Sequence, residues 1–420
     1  MALMSSTFAG YHANMERKQY ISTLENAYRR EQGRSISLLV SLSDSHANVA
    51  SLLAPDDEKY PLNSNAIPQD LVDLAVAHLR VLHHFRQPGV EHAEQAVNWQ
   101  VAALKAAASF VQNVKGKNWP VPVLITLAKD LRRLTFMLMK LTDSRGSAVR
   151  DEEETSKHNP YSKASDTIMV AFRICAADGR TADNESKRVG MMGLVNQMIR
   201  IYSKGELWEM YRPLIRALDP FSTKMTFPVG QMVTYRYFVG QKLVFDGDFR
   251  KAAEYLTYAF ERCLKTSVAN KRKILMYLLP AKMILGQMPK LFILKKYNLE
   301  QFEEVVLAVK QGNVRRLKEA LETHQDFFVE NGIYLILDKL STLTFRNLFK
   351  KISMMFGTHQ IDIGLYVRAL RYLGMHDMED AEAQCMIANL IDEGRIKGYL
   401  SLVHNKLVVS KTNPFPMKIG

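Results

Sequence analysis

The sequence predicts a mainly α-helical protein: an irregular, tetratricopeptide-like array of helical pairs followed by a C-terminal winged helix. Three observations carry this. Apolar residues recur at helical spacing from about residue 70 to residue 330. Helix starts recur after a glycine and a short turn. The last quarter runs helix, helix, short extended segment, further helices, then two β-patterned strands, which is the order of a winged helix.

Residues 1–65 are weakly specified. Helices are expected over 20–30 and 35–53, and Pro55, Pro61 and Pro68 then mark a loop. Residues 71–85 form a clear amphipathic stripe. Residues 92–114 form another, rich in Ala, with Trp99, Leu104 and Phe110 available for packing. A third helix is expected over 121–141, behind Pro120 and Pro122. Residues 143–160 are polar and acidic, with Asp151-Glu152-Glu153-Glu154, and have no apolar period. They read as a solvated loop. Beyond it the pattern repeats. Lys204-Gly205-Glu206-Leu207, Asp246-Gly247-Asp248-Phe249 and Gln311-Gly312-Asn313-Val314 each end one helix and open the next. The unequal spacing of these glycines makes the repeat irregular. Each pair needs a neighbour to cover its apolar face.

The C-terminal module follows from spacing. Ile333, Ile336, Leu337 and Leu340 make one buried stripe, which Ser341 and Thr342 interrupt. Thr344 is then expected to N-cap a helix whose inner face is Phe345, Leu348, Phe349 and Ile352. Arg346, Lys350 and Lys351 fall on or near its opposite face. Residues 359–362 are expected to pair as a third strand. Residues 363–373 and 380–393 read as helices, the second stopped by Gly394. Residues 396–400 and 406–409 flank a turn at His404-Asn405, a hairpin pattern. The expected division is 1–65, a helical array over 66–330, the winged helix over 331–413 and a tail over 414–420.

Composition narrows the function. The formal net charge is +13, which suits nucleic acid, acidic proteins or an anionic surface. It is unevenly spread: residues 262–351 hold 17 Lys and Arg against 8 Asp and Glu. No apolar run reaches the roughly 18–20 residues that a bilayer span needs, so membrane insertion is not expected. No basic segment followed by an apolar stretch opens the chain, so no signal peptide is expected. Three widely spaced cysteines, Cys175, Cys263 and Cys385, suggest a reducing compartment and read as core residues.

Motifs for chemistry are missing from the sequence. There is no glycine-rich phosphate loop, no H-E-x-x-H, no paired C-x-x-C and no G-x-S-x-G elbow. His83-His84 has no carboxylate or Cys partner at ligand spacing and reads as a helix-surface pair. No enzyme, metal or cofactor is expected.

The basic residues fall in clusters: Lys271, Arg272 and Lys273; Lys295 and Lys296; Arg315, Arg316 and Lys318; Arg346, Lys350 and Lys351; and Lys397, Lys406 and Lys411 around the hairpin. Singly, each reads as a solvated helix face. Together they suggest a continuous surface that binds phosphate backbone with strong salt dependence and little base specificity. A winged helix that reads duplex DNA inserts its recognition helix in the major groove. Here that helix, 380–393, carries Asp380, Glu382, Asp392 and Glu393, follows Glu379, and has no Lys or Arg. It repels phosphate. Nucleic acid is therefore expected on the wing, the second helix and the last array helices, leaving the recognition helix for protein.

Residues 311–321, which lead from the array into the winged helix, resemble the PCI domain shared by proteasome-lid, signalosome and initiation-factor subunits. Further stretches are similar to the PCI-domain subunit of the second TREX (transcription–export) complex, the signalosome-subunit-twelve-like family. They include Phe172-Arg173-Ile174-Cys175-Ala176-Ala177-Asp178, Arg212-Pro213-Leu214-Ile215-Arg216-Ala217, Tyr277-Leu278-Leu279-Pro280, Phe345-Arg346-Asn347-Leu348-Phe349-Lys350-Lys351 and the tail 406–416. The resemblance spans about 70–416. It implies a non-enzymatic nuclear adaptor that couples transcription to mRNA export at nuclear pores. Its implied partners are a larger PCI-bearing scaffold, a small acidic, largely disordered protein shared with the proteasome lid, and RNA or DNA held nonspecifically. The alternative is a structural subunit of a lid-like or signalosome-like particle whose basic face meets only acidic proteins. On the adaptor reading, reversing Lys350 and Lys351 to Glu is expected to weaken nucleic-acid binding at low salt without unfolding the protein, as filter binding would show.

Overall fold

A computed structural model describes residues 17–43, 66–144, 159–180, 185–222 and 226–416. The acidic stretch 151–154 and most of the N-terminal 65 residues lie outside the described residues. The chain divides into two compact units, and the division falls between Tyr235 and Arg236.

The first unit is helical. Helices α1 (Arg17–Arg29) and α2 (Gly33–Leu39) come from the segment that the sequence leaves weakly specified. They are packed elements: Tyr20 and Ile36 are fully buried, and the Tyr20 hydroxyl donates to the Leu39 carbonyl at 3.1 Å. Helix α2 ends at Leu39, and residues 44–53 of the expected 35–53 helix lie outside the described residues. Helices α3 (Gln69–Phe85), α4 (Val90–Asn113) and α5 (Val121–Ser144) match the expected stripes, and each packs on the next. The amide of Leu42 donates to the buried Asp130 carboxylate at 2.9 Å, fixing the end of α2 on α5. Gly33 is required here, because a Cβ at that position would fall 1.7 Å from the Trp119 carbonyl oxygen.

Helix α6 (Pro160–Ala176) opens with the Asn159 side chain accepting from the Tyr161 amide at 2.9 Å and proline at its first position. It packs on α7 (Met191–Lys204). Between them the Asp178 carboxylate takes two bonds from the Arg180 guanidinium, at 2.9 and 2.7 Å, and one from the Lys187 amide at 2.6 Å. Those bonds hold Asp178 well below the usual carboxylate range. Helices α8 (Tyr211–Ser222) and α9 (Val229–Phe245) follow, and the division cuts α9. Cys175 is fully buried, and burial pushes its thiol up to about 12.

The second unit continues with helical pairs. Helix α10 (Phe249–Arg262), capped by Asp248, packs on α11 (Val268–Ile284). After α12 (Leu291–Lys296), α13 (Glu303–Gln311) packs on α14 (Val314–Thr323). The turn between α13 and α14 needs glycine. Gly312 has φ of +68°, and a Cβ there would sit 2.5 Å from the Leu348 amide nitrogen. Short α15 (Gln325–Glu330) and α16 (Tyr334–Asp338) lead into α17 (Leu340–Phe356). Then come β1 (Gln360–Asp362), α18 (Ile363–Tyr372), α19 (Asp380–Asp392), β2 (Gly398–Ser401) and β3 (Lys406–Val409).

The strands form an antiparallel sheet in the order β1-β3-β2, with Ile361 opposite Leu407 and Leu400 opposite Leu407. The winged helix thus closes as expected, including the third strand. Its core is Phe349, Ile361, Ile363, Tyr366, Leu370, Ile387 and Leu407 with their neighbours. Phe349 and Tyr366 pack with tilted rings, centroids 4.7 Å apart, and Ser353 and Tyr366 share a hydroxyl bond of 2.9 Å.

Thr344 is not an N-cap. Helix α17 begins at Leu340 and runs through Ser341 and Thr342. The Thr344 hydroxyl bonds back to the Leu340 carbonyl at 2.9 Å, the mid-helix alternative for threonine. Cys385 is exposed on α19, not in the core, while Cys263 is buried.

Asp178→Ala is expected to destabilise the first unit at pH 7. Two bonds are lost and the Lys187 amide is left without its acceptor; with Arg180 partly solvated, the cost is about 1 kcal/mol. A carboxylate with a depressed folded pKa stabilises above its unfolded value and loses that contribution as pH falls. Wild type and variant should therefore draw together in denaturant melts as pH falls below about 4.

Candidate nucleic-acid interface

Of the basic residues singled out in the sequence, those on α11, on α17 and around the hairpin meet different fates. Helix α11 places Lys271, Arg272 and Lys273 in succession. Lys271 is only 6% exposed. Its ammonium lies over the Phe260 ring at 4.3 Å and donates to the Phe260 carbonyl at 2.6 Å. It closes α11 on the end of α10 and cannot meet a phosphate there. Arg272 donates to the Asn298 carbonyl at 3.2 Å, and Lys273 is exposed.

Arg346 is the second correction. It is 2% exposed, not on the solvent face of α17. One guanidinium nitrogen donates to the Asn347 side chain at 2.7 Å, and another donates to the Phe415 carbonyl. Burial lowers its pKa, and the neighbouring Arg395 adds to this. Asn347 in turn donates to the Val309 carbonyl at 2.7 Å. One turn of α17 is thereby bonded to α13 on one side and to the C-terminal segment on the other.

That segment organises the remaining cations. The Lys397 amide donates to the Pro414 carbonyl at 2.8 Å, and the Ser410 amide donates to the Lys397 carbonyl at 2.7 Å. Lys397 therefore lies opposite Ser410, and Lys411 follows it, at the base of the β2–β3 hairpin; both lysines are exposed. Lys350 is four residues beyond Arg346, so it lies on the helix face that Arg346 turns to the C-terminal segment, and it is exposed. Lys350, Lys397 and Lys411 are thus three exposed cations, one on α17 and two beside the paired backbone at the hairpin base. Lys351 is exposed but donates to the Gln311 carbonyl at 2.7 Å, capping the end of α13.

Lys406 sits at the other end of the hairpin, among acids. It is opposite Asp362 in the β1–β3 register. The adjacent Asn405 donates to the Asp380 carboxylate at 2.5 Å and accepts from Gln384 at 2.9 Å, tying the turn to the first turns of α19. Helix α19 opens with a capping box between Glu379 and Glu382 and ends at Asp392 and Glu393. The acids that stabilise its N-terminus also make that end of the module unfavourable for phosphate.

Sequence reasoning missed two features. Arg368 and Arg371 are exposed on α18, at helical spacing that was legible. Met354, Met355 and Phe356, at the end of α17, are 70, 82 and 51% exposed; helix periodicity alone gave no sign that this run faces solvent. No helix is long and apolar enough to cross a membrane among the described residues. His84 meets His92 through their Nδ1 atoms at 3.2 Å. No group of three or more potential metal ligands occurs among the described residues.

Comparison with known proteins agrees with this architecture. A profile of the PCI domain matches residues 321–411. A PCI domain-containing protein 2 homolog of Drosophila melanogaster is 39% identical over 94% of this chain and 97% of its own length. PCI domain-containing protein 2 of Xenopus laevis is 39% identical over 96% and 98%. A more distant relative, a protein CSN12 homolog of Neurospora crassa, is 27% identical over 71% and 72%.

Arg346→Ala is expected to lower the stability of the second unit by about 2 kcal/mol, because the buried Phe415 carbonyl and the Asn347 amide lose their partner. Hydrogen exchange should show the loss in the β2–β3 hairpin and the 410–416 segment first.

Proposed function

The chain belongs to the PCI domain-containing protein 2 family, and from that premise we propose that it is a non-enzymatic adaptor subunit of an mRNA-export assembly in the nucleus and at nuclear pores. Its PCI domain holds a larger PCI-bearing scaffold and a small acidic protein, and its basic residues hold RNA or DNA by the backbone without reading bases. The observation that carries this reading is the separation of charge across the winged helix. Exposed Lys397 and Lys411 lie at the hairpin base and exposed Lys350 on α17, while the acids of α19 meet the hairpin turn. Phosphate is attracted to one end and repelled from the other. The exposed Met354-Met355-Phe356 run, with Leu402 and Val403 at the hairpin turn, suits burial against a protein partner.

A second reading has its own support in the likeness to the Neurospora crassa protein and in the acidic recognition helix. It is a structural subunit of a lid-like or signalosome-like particle, in which the basic residues meet acidic proteins only. Affinity purification from nuclear extract with and without nuclease separates the two. Export factors together with RNA favour the adaptor; lid or signalosome subunits unaffected by nuclease favour the particle.

Lys351 is a poor probe, because its reversal also removes the cap on α13. The chain carrying Lys350→Glu, Lys397→Glu and Lys411→Glu is expected to keep its melting temperature and to bind a single-stranded oligonucleotide at least tenfold more weakly at low salt. The slope of log K against log salt should be shallower by about 2, at about 0.7 for each phosphate that the variant no longer neutralises. Unchanged anisotropy titrations would refute the backbone-binding role of these lysines.

A further inference from the structure

The first unit carries an aromatic cleft that the proposed function leaves unused. The loop between α4 and α5 reads Lys115-Gly116-Lys117-Asn118-Trp119-Pro120, with Gly116 at φ of +78°. Pro120 and the close approach of Gly33 to the Trp119 carbonyl fix the indole in place. Around it three rings converge: Tyr28 to Phe110 at 6.1 Å, Tyr28 to Trp119 at 6.1 Å and Phe110 to Trp119 at 5.8 Å. Phe110 is buried and forms the floor, while Tyr28 and Trp119 are half-buried.

These rings line a cleft of about 360 Å³ whose rim holds Arg29, Lys115 and Lys117. The lining carboxylate, Glu31, pairs with Lys117 at 2.5 Å, which leaves Arg29 and Lys115 as uncompensated cations. Trp119 also walls an adjoining cleft of about 590 Å³, where Arg34, Ser35 and Gln32 supply polar groups. Both volumes lie in the range of small-ligand sites. An aromatic cage for an ammonium group needs a rim without excess positive charge. This rim is positive, so the charge selects an anion that also has a flat aromatic part.

We propose that this cleft binds single-stranded nucleic acid, stacking an unpaired base on Tyr28 and Trp119 and placing the adjoining phosphates on Arg29, Lys115 and Lys117. Stacking on aromatic side chains with a basic rim is the general mode of sequence-tolerant single-strand binding. Two clefts that share Trp119 and Glu31 in their linings suit neighbouring nucleotides of a strand rather than a free mononucleotide. The inference takes its ligand class from the proposed function but places the binding on different residues.

The test cross-links full-length protein to a 4-thiouridine-containing oligouridine and maps the adducts by mass spectrometry, with affinity followed by anisotropy. Adducts on Tyr28 or Trp119 are expected. Trp119→Ala should weaken binding about fivefold or more, with most of it kept by Trp119→Phe. Should Trp119→Ala fail to fold, Lys115→Glu with Lys117→Glu, both exposed, is expected to weaken binding by a similar factor. The adduct should persist in the Lys350→Glu, Lys397→Glu, Lys411→Glu chain, which separates failure of the cleft from failure of the winged-helix surface. Adducts confined to residues 262–411, with affinity unchanged in the cleft variants, would overturn the proposal. So would AMP binding as tightly as the strand, or a trimethyl-lysine peptide competing for the cleft.

Discussion

A buried guanidinium holds the winged helix in its present form. Placing Arg346 at 2% exposure costs solvation of a full charge, and that cost is offset only while its acceptors stay in place. Those acceptors are the neighbouring Asn347 side chain and the carbonyl of Phe415, far along the chain. Asn347 passes the constraint to α13, and Pro414 passes it to Lys397 at the hairpin base. A single desolvated group therefore sets the positions of three otherwise separate parts. The backbone around Lys397 and Lys411 at the hairpin base is held through the same segment that Arg346 bonds.

The polarity of the module follows from helix physics as much as from function. Glu379, Asp380 and Glu382 gather at the start of α19, where unpaired amides and the macrodipole favour negative charge. The same carboxylates fasten the hairpin turn through Asn405. A helix capped in this way is stable but unfit for the major groove. The residues that build the element thus give that end of the module its negative charge.

The first unit shows how a segment without a strong pattern of its own becomes ordered. Helices α1 and α2 are short, and isolated helices of this length are marginal in water. They persist because Tyr20 and Ile36 are buried and because Leu42 caps onto Asp130 of α5. Their docking also brings Tyr28 and Glu31 to the α4–α5 loop. The aromatic cleft exists only once 80 or more residues of chain have been brought back together.

Periodicity by itself determined helices α3 to α5, the glycine turns at Gly312 and Gly394, and the order of elements in the winged helix including its third strand. These are local: 3.6-residue spacing, caps and positive-φ turns act within a few residues. Composition likewise determined where positive charge is dense. Only the tertiary structure decided which of those charges face water. Lys271 and Arg346 look like their neighbours Lys273 and Lys350 in the sequence, yet they are buried, because carbonyls of Phe260 and Phe415 arrive from elsewhere in the chain to satisfy them. Thr344 shows the same limit in reverse: it has the chemistry of a cap, but packing of Leu340 and Leu343 carried the helix through it. Local rules specify what a residue is able to do, and distant backbone decides which of those options desolvation allows.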